Sequence, residues 1–174
     1  YYVIILNTNA GLWGYNIGDT VEFVSLDPYR IIVSGRIKHF ISAFGEHVIG
    51  KEVEAAMIKA CVKTKSEVVE FTVAPQVDGG QNSLPYHEWF VEFSKDPNDF
   101  DEFTKIIDDE MQNQNVYYQD LIQGNILRPI VLTVLKRDAF VEYMKSIGKL
   151  GGQNKVPRLS NDRKIADKLS NFKA

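Results

Sequence analysis

With 174 residues, 44% of them hydrophobic and 25% charged, the chain has enough material for one ordinary domain with its own core and is too apolar to be disordered. A formal net charge of -3, with lysines and arginines scattered, excludes the basic field that nucleic-acid binding requires. One cysteine, Cys61, excludes an intramolecular disulfide framework and fits a reducing, cytoplasmic setting; no apolar run approaches the length of a membrane span.

The chain opens with Tyr1-Tyr-Val-Ile-Ile-Leu6, without methionine and inside what reads as a buried strand. Such a strand needs a neighbour, which predicts that this is the C-terminal piece of a longer polypeptide. Residues 1–34 read as all-β, with strands at Tyr2–Leu6, Thr20–Ser25 and Arg30–Ser34, the last two joined by the turn dipeptide Asp27-Pro28. Gly11, Gly14 and Gly18 predict a bent loop with close backbone approaches between the first two. From residue 47 to 62 the apolar positions Ile49, Val53, Ala56, Met57 and Ala60 form the stripe of a one-sided helix. Val68–Ala74 and Trp89–Phe93 read as strands around a Gly-Gly-Gln-Asn-Ser loop at 79–83, and Phe100, Phe103, Ile107 and Met111 mark a second helix over 97–112. Ile130–Leu135, apolar on both faces, predicts a central strand. A third helix carries Phe140, Met144 and Ile147, and Asn161 is placed to cap a last short one bearing Ile165, Leu169 and Phe172. The sum is an α+β fold: a β-hairpin leader, then a small three-stranded sheet packed with helices, the helix at 97–112 serving as crossover.

Three constellations bear on chemistry. In Gly14-Tyr-Asn-Ile-Gly18-Asp19, an acid directly after a glycine at a strand entry can accept two hydrogen bonds from a vicinal diol such as a ribose; capping a turn is its ordinary use. Ser34-Gly35-Arg36-Ile37-Lys38 offers an arginine for a phosphate, a ribose or a carboxylate, although strand-end arginines mostly form surface ion pairs. Leu150-Gly-Gly-Gln-Asn-Lys155-Val-Pro-Arg158 sets a lysine on a loop between paired glycines and a proline, free to be carried to an anion. His39, His47 and His87 lack metal-ligand spacing, so no metal site is expected. Cys61 reads as a packed thiol, Tyr86, Trp89 and Phe90 as packing aromatics, and Asp108-Asp109-Glu110 as a solvated helix face.

Taken in order, Tyr15–Asp19, Arg36-Ile-Lys38, Val68-Val-Glu-Phe-Thr72, Val116-Tyr117 and Gln153-Asn-Lys155-Val-Pro-Arg158 resemble the adenylate-forming enzymes, and among them the auxin-responsive Gretchen Hagen family of acyl-acid amido synthetases. The family's Tyr-Arg-x-Gly-Asp has Asn16 at its arginine, and Tyr118 and Leu121 stand where arginines often follow Val-Tyr, so an acyl or acceptor preference does not transfer.

The resemblance implies activation of a carboxylic acid by ATP, with Mg2+, to an acyl-adenylate, then transfer to an amine such as an amino acid. Residues 1–35 would be the end of an N-terminal nucleotide-binding domain, 36–38 the hinge, and 39–174 a mobile C-terminal domain whose partner is its own N-terminal domain. That absent domain would bind most of the ATP and Mg2+, and this chain alone would be inactive. Tyr15, Gly18, Asp19 and Arg36 would contact nucleotide, with Asp19 on the ribose hydroxyls. Ile37 and Lys38 would form the hinge, and Lys155 would be the mobile catalytic lysine, in preference to Lys164. The reading of another class is a non-catalytic α+β module that docks an acidic partner through the lysine loop.

Overall fold

Cross-strand pairs of apolar and aromatic side chains build the first sheet. The computed structural model describes residues 2–36, 40–78, 83–151 and 154–174. Strands β1 (Tyr2–Leu6), β2 (Tyr15–Leu26) and β3 (Tyr29–Arg36) form an antiparallel meander in that order, with Asp27-Pro28 between the paired Leu26 and Tyr29. Tyr2, Phe23 and Tyr29, one from each strand, meet edge to face at centroid distances of 5.3 and 5.9 Å. Strand β2 begins earlier than the pattern predicts, because Tyr15 and Asn16 pair with Leu6 and Ile5. Gly11, Gly14 and Gly18 all have positive φ, but a Cβ at any of them would meet nothing within 4 Å; conformation, not the expected close approach, is what requires glycine there.

A short pair, β4 (Phe40–Ile41) and β5 (Val48–Ile49), leads into helix α1 (Gly50–Thr64), so the helix starts later than its apolar stripe implies. Glu52 accepts from Ile49 N at 2.9 Å, half of a capping box, since isoleucine offers no acceptor in return. Within the loop between β4 and β5, Glu46 is fully buried and meets His87 Nε2 at 2.9 Å, while its own backbone carbonyl accepts from Asn115 Nδ2 at 2.9 Å. Burial pushes the Glu46 carboxyl up, but the hydrogen bond and charge of His87 and the backbone donors outweigh it and leave the value lowered. This buried contact seats the short pair on the body.

The body is a three-stranded sheet of order β6-β7-β8, with β6 (Glu67–Gln76) antiparallel to β7 (Tyr86–Lys95) and β8 (Val131–Leu135) parallel to it. The connection predicted as a loop at 79–83 falls largely outside the described residues. Residues 87–93 of β7 are all buried, and their alternation divides the core. Trp89, Val91 and Phe93 face helices α1, α2 (Phe100–Gln114) and α3 (Val116–Gln123), whereas Phe90 faces α4 (Ala139–Ser146) and α5 (Lys164–Leu169). Each such large apolar side chain contributes about 1.5–3 kcal/mol through burial.

The central strand is therefore β7 and not the predicted 130–135. Strand β8 lies at the edge of the sheet, yet its outer side is covered: Ala174 N donates to Val134 O and Lys136 N to Phe172 O, both at 3.0 Å. Its two faces are apolar because each lies on a core, Leu132 and Val134 on the first and Leu135 on the second. Helix α3 has no counterpart in the sequence reading, although Tyr118 is buried and Leu121 and Ile122 pack beside it on the first core at helical spacing. The predicted cap at Asn161 is also corrected. Asn161 accepts from Ser42 N (2.9 Å) and donates to Phe40 O (2.8 Å), while Asp162 receives Lys164 N at 3.1 Å. Phe172 follows α5 in a 3-10 turn at 170–172.

Asp108, read from the sequence as solvent-facing, is buried, and so are Glu88 and Glu92. Asp108 accepts from the Tyr118 hydroxyl (2.8 Å) and Ile130 N (3.1 Å), so Asp108-Asp109-Glu110 is not a wholly solvated face. Glu88 accepts from Thr133 Oγ1 (2.6 Å) and Arg163 Nη2 (2.7 Å). Glu92 accepts from Asp138 N (2.8 Å) and Phe140 N (3.1 Å), satisfying the first turn of α4. Among the described residues no helix is long and apolar enough to cross a membrane.

Candidate functional site

Asp19 owes its position to a bulge. Between the pairs Val3–Thr20 and Ile5–Asn16 strand β2 carries extra residues, and Gly18, at φ +84, turns the backbone there as an L side chain rarely can. The next residue, half-buried Asp19, is set on the inner side of a cleft of about 970 Å³ and is the register partner of Arg36 on β3. Tyr15 stands at the start of β2, 50% exposed, and is not among the residues lining that cleft. Ile37 and Lys38 lie outside the described residues.

The opposite wall comes from the far end of the chain. Beyond the turn closed by Asn154 N on Gly151 O (3.0 Å), Val156 is buried in the second core and Lys155 projects as an exposed side chain into the cleft. The loop's exit is laid along β6: Thr72 Oγ1 donates to Pro157 O (2.7 Å), Val73 N to Arg158 O (2.9 Å), and Ser160 N to Val73 O (3.0 Å). Restraint after Lys155 thus comes from strand-like pairing as well as from the proline ring. Lys164 is elsewhere, its side chain 85% exposed and paired with Asp162 at 3.0 Å, and it does not line the cleft.

The sequence reading assigned nothing to Lys51 and Glu54, which line the cleft from the first turns of α1, or to Arg158, which lines it with Lys155. Lys51 carried a readable signal: a cation in the first turn of a helix opposes the macrodipole, so its position asks for another reason. Its ammonium lies 3.9 Å from Glu22 on β2, across from the meander. Three cations (Lys51, Lys155, Arg158) and two carboxylates (Asp19, Glu54) therefore converge from both ends of the chain. Such a site can hold a polyanion that also carries hydroxyl groups, the cations meeting negative oxygens and a carboxylate accepting from a diol. Among the described residues no group of three or more His, Cys, Asp or Glu is arranged to hold a metal ion. Cys61 is half-buried in α1, and burial raises its thiol above the ordinary value, which fits a packed group.

Comparison with known proteins adds a family. A family model described as the GH3 family C-terminal domain matches residues 51–164. Among solved structures, the chain is similar to a GH3.15 acyl acid amido synthetase, with TM-score 0.76 and 18% identity, covering 99% of this chain and 34% of that one. It is also similar to an AtGH3.15 acyl acid amido synthetase in complex with 2,4-DB, with TM-score 0.74 and 18% identity, covering 99% and 32%. The chain thus spans about a third of the length of these structures, and at this identity the likeness is one of fold. A sequence comparison with the curated proteins finds no match.

Proposed function

We propose, from the premise that this chain belongs to the GH3 family through its C-terminal domain, that it is the C-terminal part of an ATP-dependent acyl-acid amido synthetase acting in the cytoplasm. The observation that carries the reading is the cleft itself, where Asp19 and Lys155 face one another from opposite ends of the chain. In this reading residues 1–35 complete a nucleotide-binding domain, 36–38 are the hinge, and 39–174 move on it. The two core clusters support that division, since both begin beyond residue 40 and take nothing from the meander.

The substrate acid's carboxylate attacks the α-phosphorus of ATP, the bond to the β-phosphate oxygen breaks, and pyrophosphate leaves. An amine then attacks the acyl carbonyl, AMP departs, and the amine's proton is lost. In the first step negative charge grows on the α-phosphate oxygens, and the Lys155 ammonium stabilises it electrostatically. Asp19 accepts from the ribose hydroxyls, with Gly18 shaping the approach and Tyr15 and Arg36 adding to the nucleotide's seat. Carrying Lys155 in on a rotating domain also excludes water from a hydrolysable adenylate. In this reading Mg2+ and most of the ATP belong to the N-terminal domain, and this chain supplies the ribose seat and the mobile lysine.

The test is ATP–pyrophosphate exchange by the full-length protein against a panel of aromatic, indolic and fatty carboxylic acids. Exchange that depends on the acid is expected, and Lys155→Ala is expected to lower adenylate formation by about a hundredfold. Amide formation from a supplied adenylate should change far less. Equal loss in both half-reactions would refute the role of Lys155. Binding to acidic proteins that weakens steeply with salt, without exchange, would favour a docking module instead.

A further inference from the structure

Arg158 stands three residues beyond Lys155, and the reaction above gives it nothing to do. Its guanidinium nevertheless joins two elements and a ring. It pairs with Glu70 on β6 and, at 3.5 Å, with Glu54 on α1. It also donates to the Phe71 carbonyl at 3.1 Å and lies 4.5 Å from the centre of the Phe71 ring. A lone exposed ion pair would hold little, but a planar fork shared among two carboxylates, a carbonyl and an aromatic face is a geometry that lysine cannot reproduce.

Two consequences reach Lys155. The first is positional: with Arg158 fixed and the backbone from Pro157 to Ser160 paired along β6, the ammonium swings from an anchored point. The second is electrostatic. Glu54 lines the same cleft as Lys155, and Glu70 shares with Lys155 the smaller hollow of about 280 Å³ on the loop's other side. Both carboxylates are engaged by Arg158, and among the described residues Lys155 makes no ion pair. Without the guanidinium, these two carboxylates, each lining a hollow with Lys155, become claimants for the lysine.

We propose that Arg158 is a positioning residue for Lys155, engaging Glu54 and Glu70 so that the ammonium stays uncommitted for the developing charge on a phosphate. This rests on the role given to Lys155 above. The geometry separates it from a merely structural clamp: a clamp lost to alanine is not restored by removing carboxylate charge, whereas a captured lysine is released.

Single-turnover adenylate formation by the full-length protein tests this, with Lys155→Ala measured beside it. Arg158→Ala is expected to slow adenylation about ten- to a hundredfold at saturating ATP and acid, the cost typical of a misplaced catalytic group, with KM for ATP little changed. Adding Glu54→Gln and Glu70→Gln to that chain should return most of the lost rate. Glu70→Gln keeps a side-chain oxygen to accept from Phe71 N but drops the charge. If Arg158→Ala does not fold, Arg158→Lys takes its place, with a smaller loss relieved by the same two substitutions. A loss that those substitutions leave untouched overturns the proposal. Parental rates for Arg158→Ala beside an impaired Lys155→Ala overturn it while leaving Lys155 in its role. Parental rates for both overturn the role of Lys155 and this proposal together.

Discussion

Replacing Asp108 by alanine removes an acceptor from the core side of α2, where its residue is only 6% exposed. Three donors converge on it: the Tyr118 hydroxyl at 2.8 Å, Ile130 N at 3.1 Å, and Gln112 Nε2 at 2.7 Å. Gln112 can turn to water, but Tyr118 is fully buried and Ile130 nearly so, and neither group has another acceptor among the described residues. Each stranded donor costs about 1–3 kcal/mol. Relief from no longer burying the acid offsets part of this, leaving an expected loss of about 3 kcal/mol. For a chain of this length that lowers Tm by roughly 6–12 °C. Asp109, one residue on and exposed, is the internal control, and Asp109→Ala should stay within about 0.5 kcal/mol of the parent. Urea unfolding followed by circular dichroism reads both. Tyr118→Phe completes a double-variant cycle, in which the pair should be less damaging than the sum of the singles by about 1–2 kcal/mol. Asp108→Ala costing no more than Asp109→Ala, or a cycle with no coupling, would refute the burial argument.

Two further outcomes follow from the same interior. Burial raises the Glu88 carboxyl, but hydrogen bonds from Thr133 and Arg163 and the charges of Arg163 and Lys173 outweigh it and leave the value below the ordinary 4.5. A depressed acid stabilises the fold above its unfolded value and loses that contribution as pH falls through the folded one. The stability gap between the parent and Glu88→Gln should hold steady above about pH 5 and narrow on acidification below 4.5; a gap independent of pH would refute this. For Cys61, whose thiol burial pushes up, alkylation by iodoacetamide should rise with pH to a midpoint above 9.0, and a midpoint below that value would contradict its packed setting.

Much of the fold is legible because local patterning and tertiary demand agree. The stripe Val53, Ala56, Met57, Ala60 is the buried face of α1, and Phe103, Ile107 and Met111 that of α2. The order of short motifs, from Tyr15–Asp19 to Gln153–Arg158, is enough to name the family. What was missed has separate causes. Helix α3 has local signals that the reading passed over, the Asn115 cap and the i, i+3, i+4 spacing of Tyr118, Leu121 and Ile122 on the first core. Glu88 and Glu92, to which the sequence reading assigned nothing, lie buried because β7 is covered on both faces, and they are matched by Arg163 and by the amides opening α4.

The site divides the same way. The residue types on offer can be read from the chain: an acid following a glycine, an arginine and a lysine at a strand end, a lysine on a glycine loop. These depend on local backbone freedom and charge, which nearest neighbours specify. Folding is what gives Asp19 and Lys155 a common cleft, completes it with Lys51, Glu54 and Arg158, and leaves Lys164 apart. Convergence of that kind arises where the chain's end pairs along β6 and α1 presents its first turns to the meander, and burial of the two cores, not any local preference, brings those segments together.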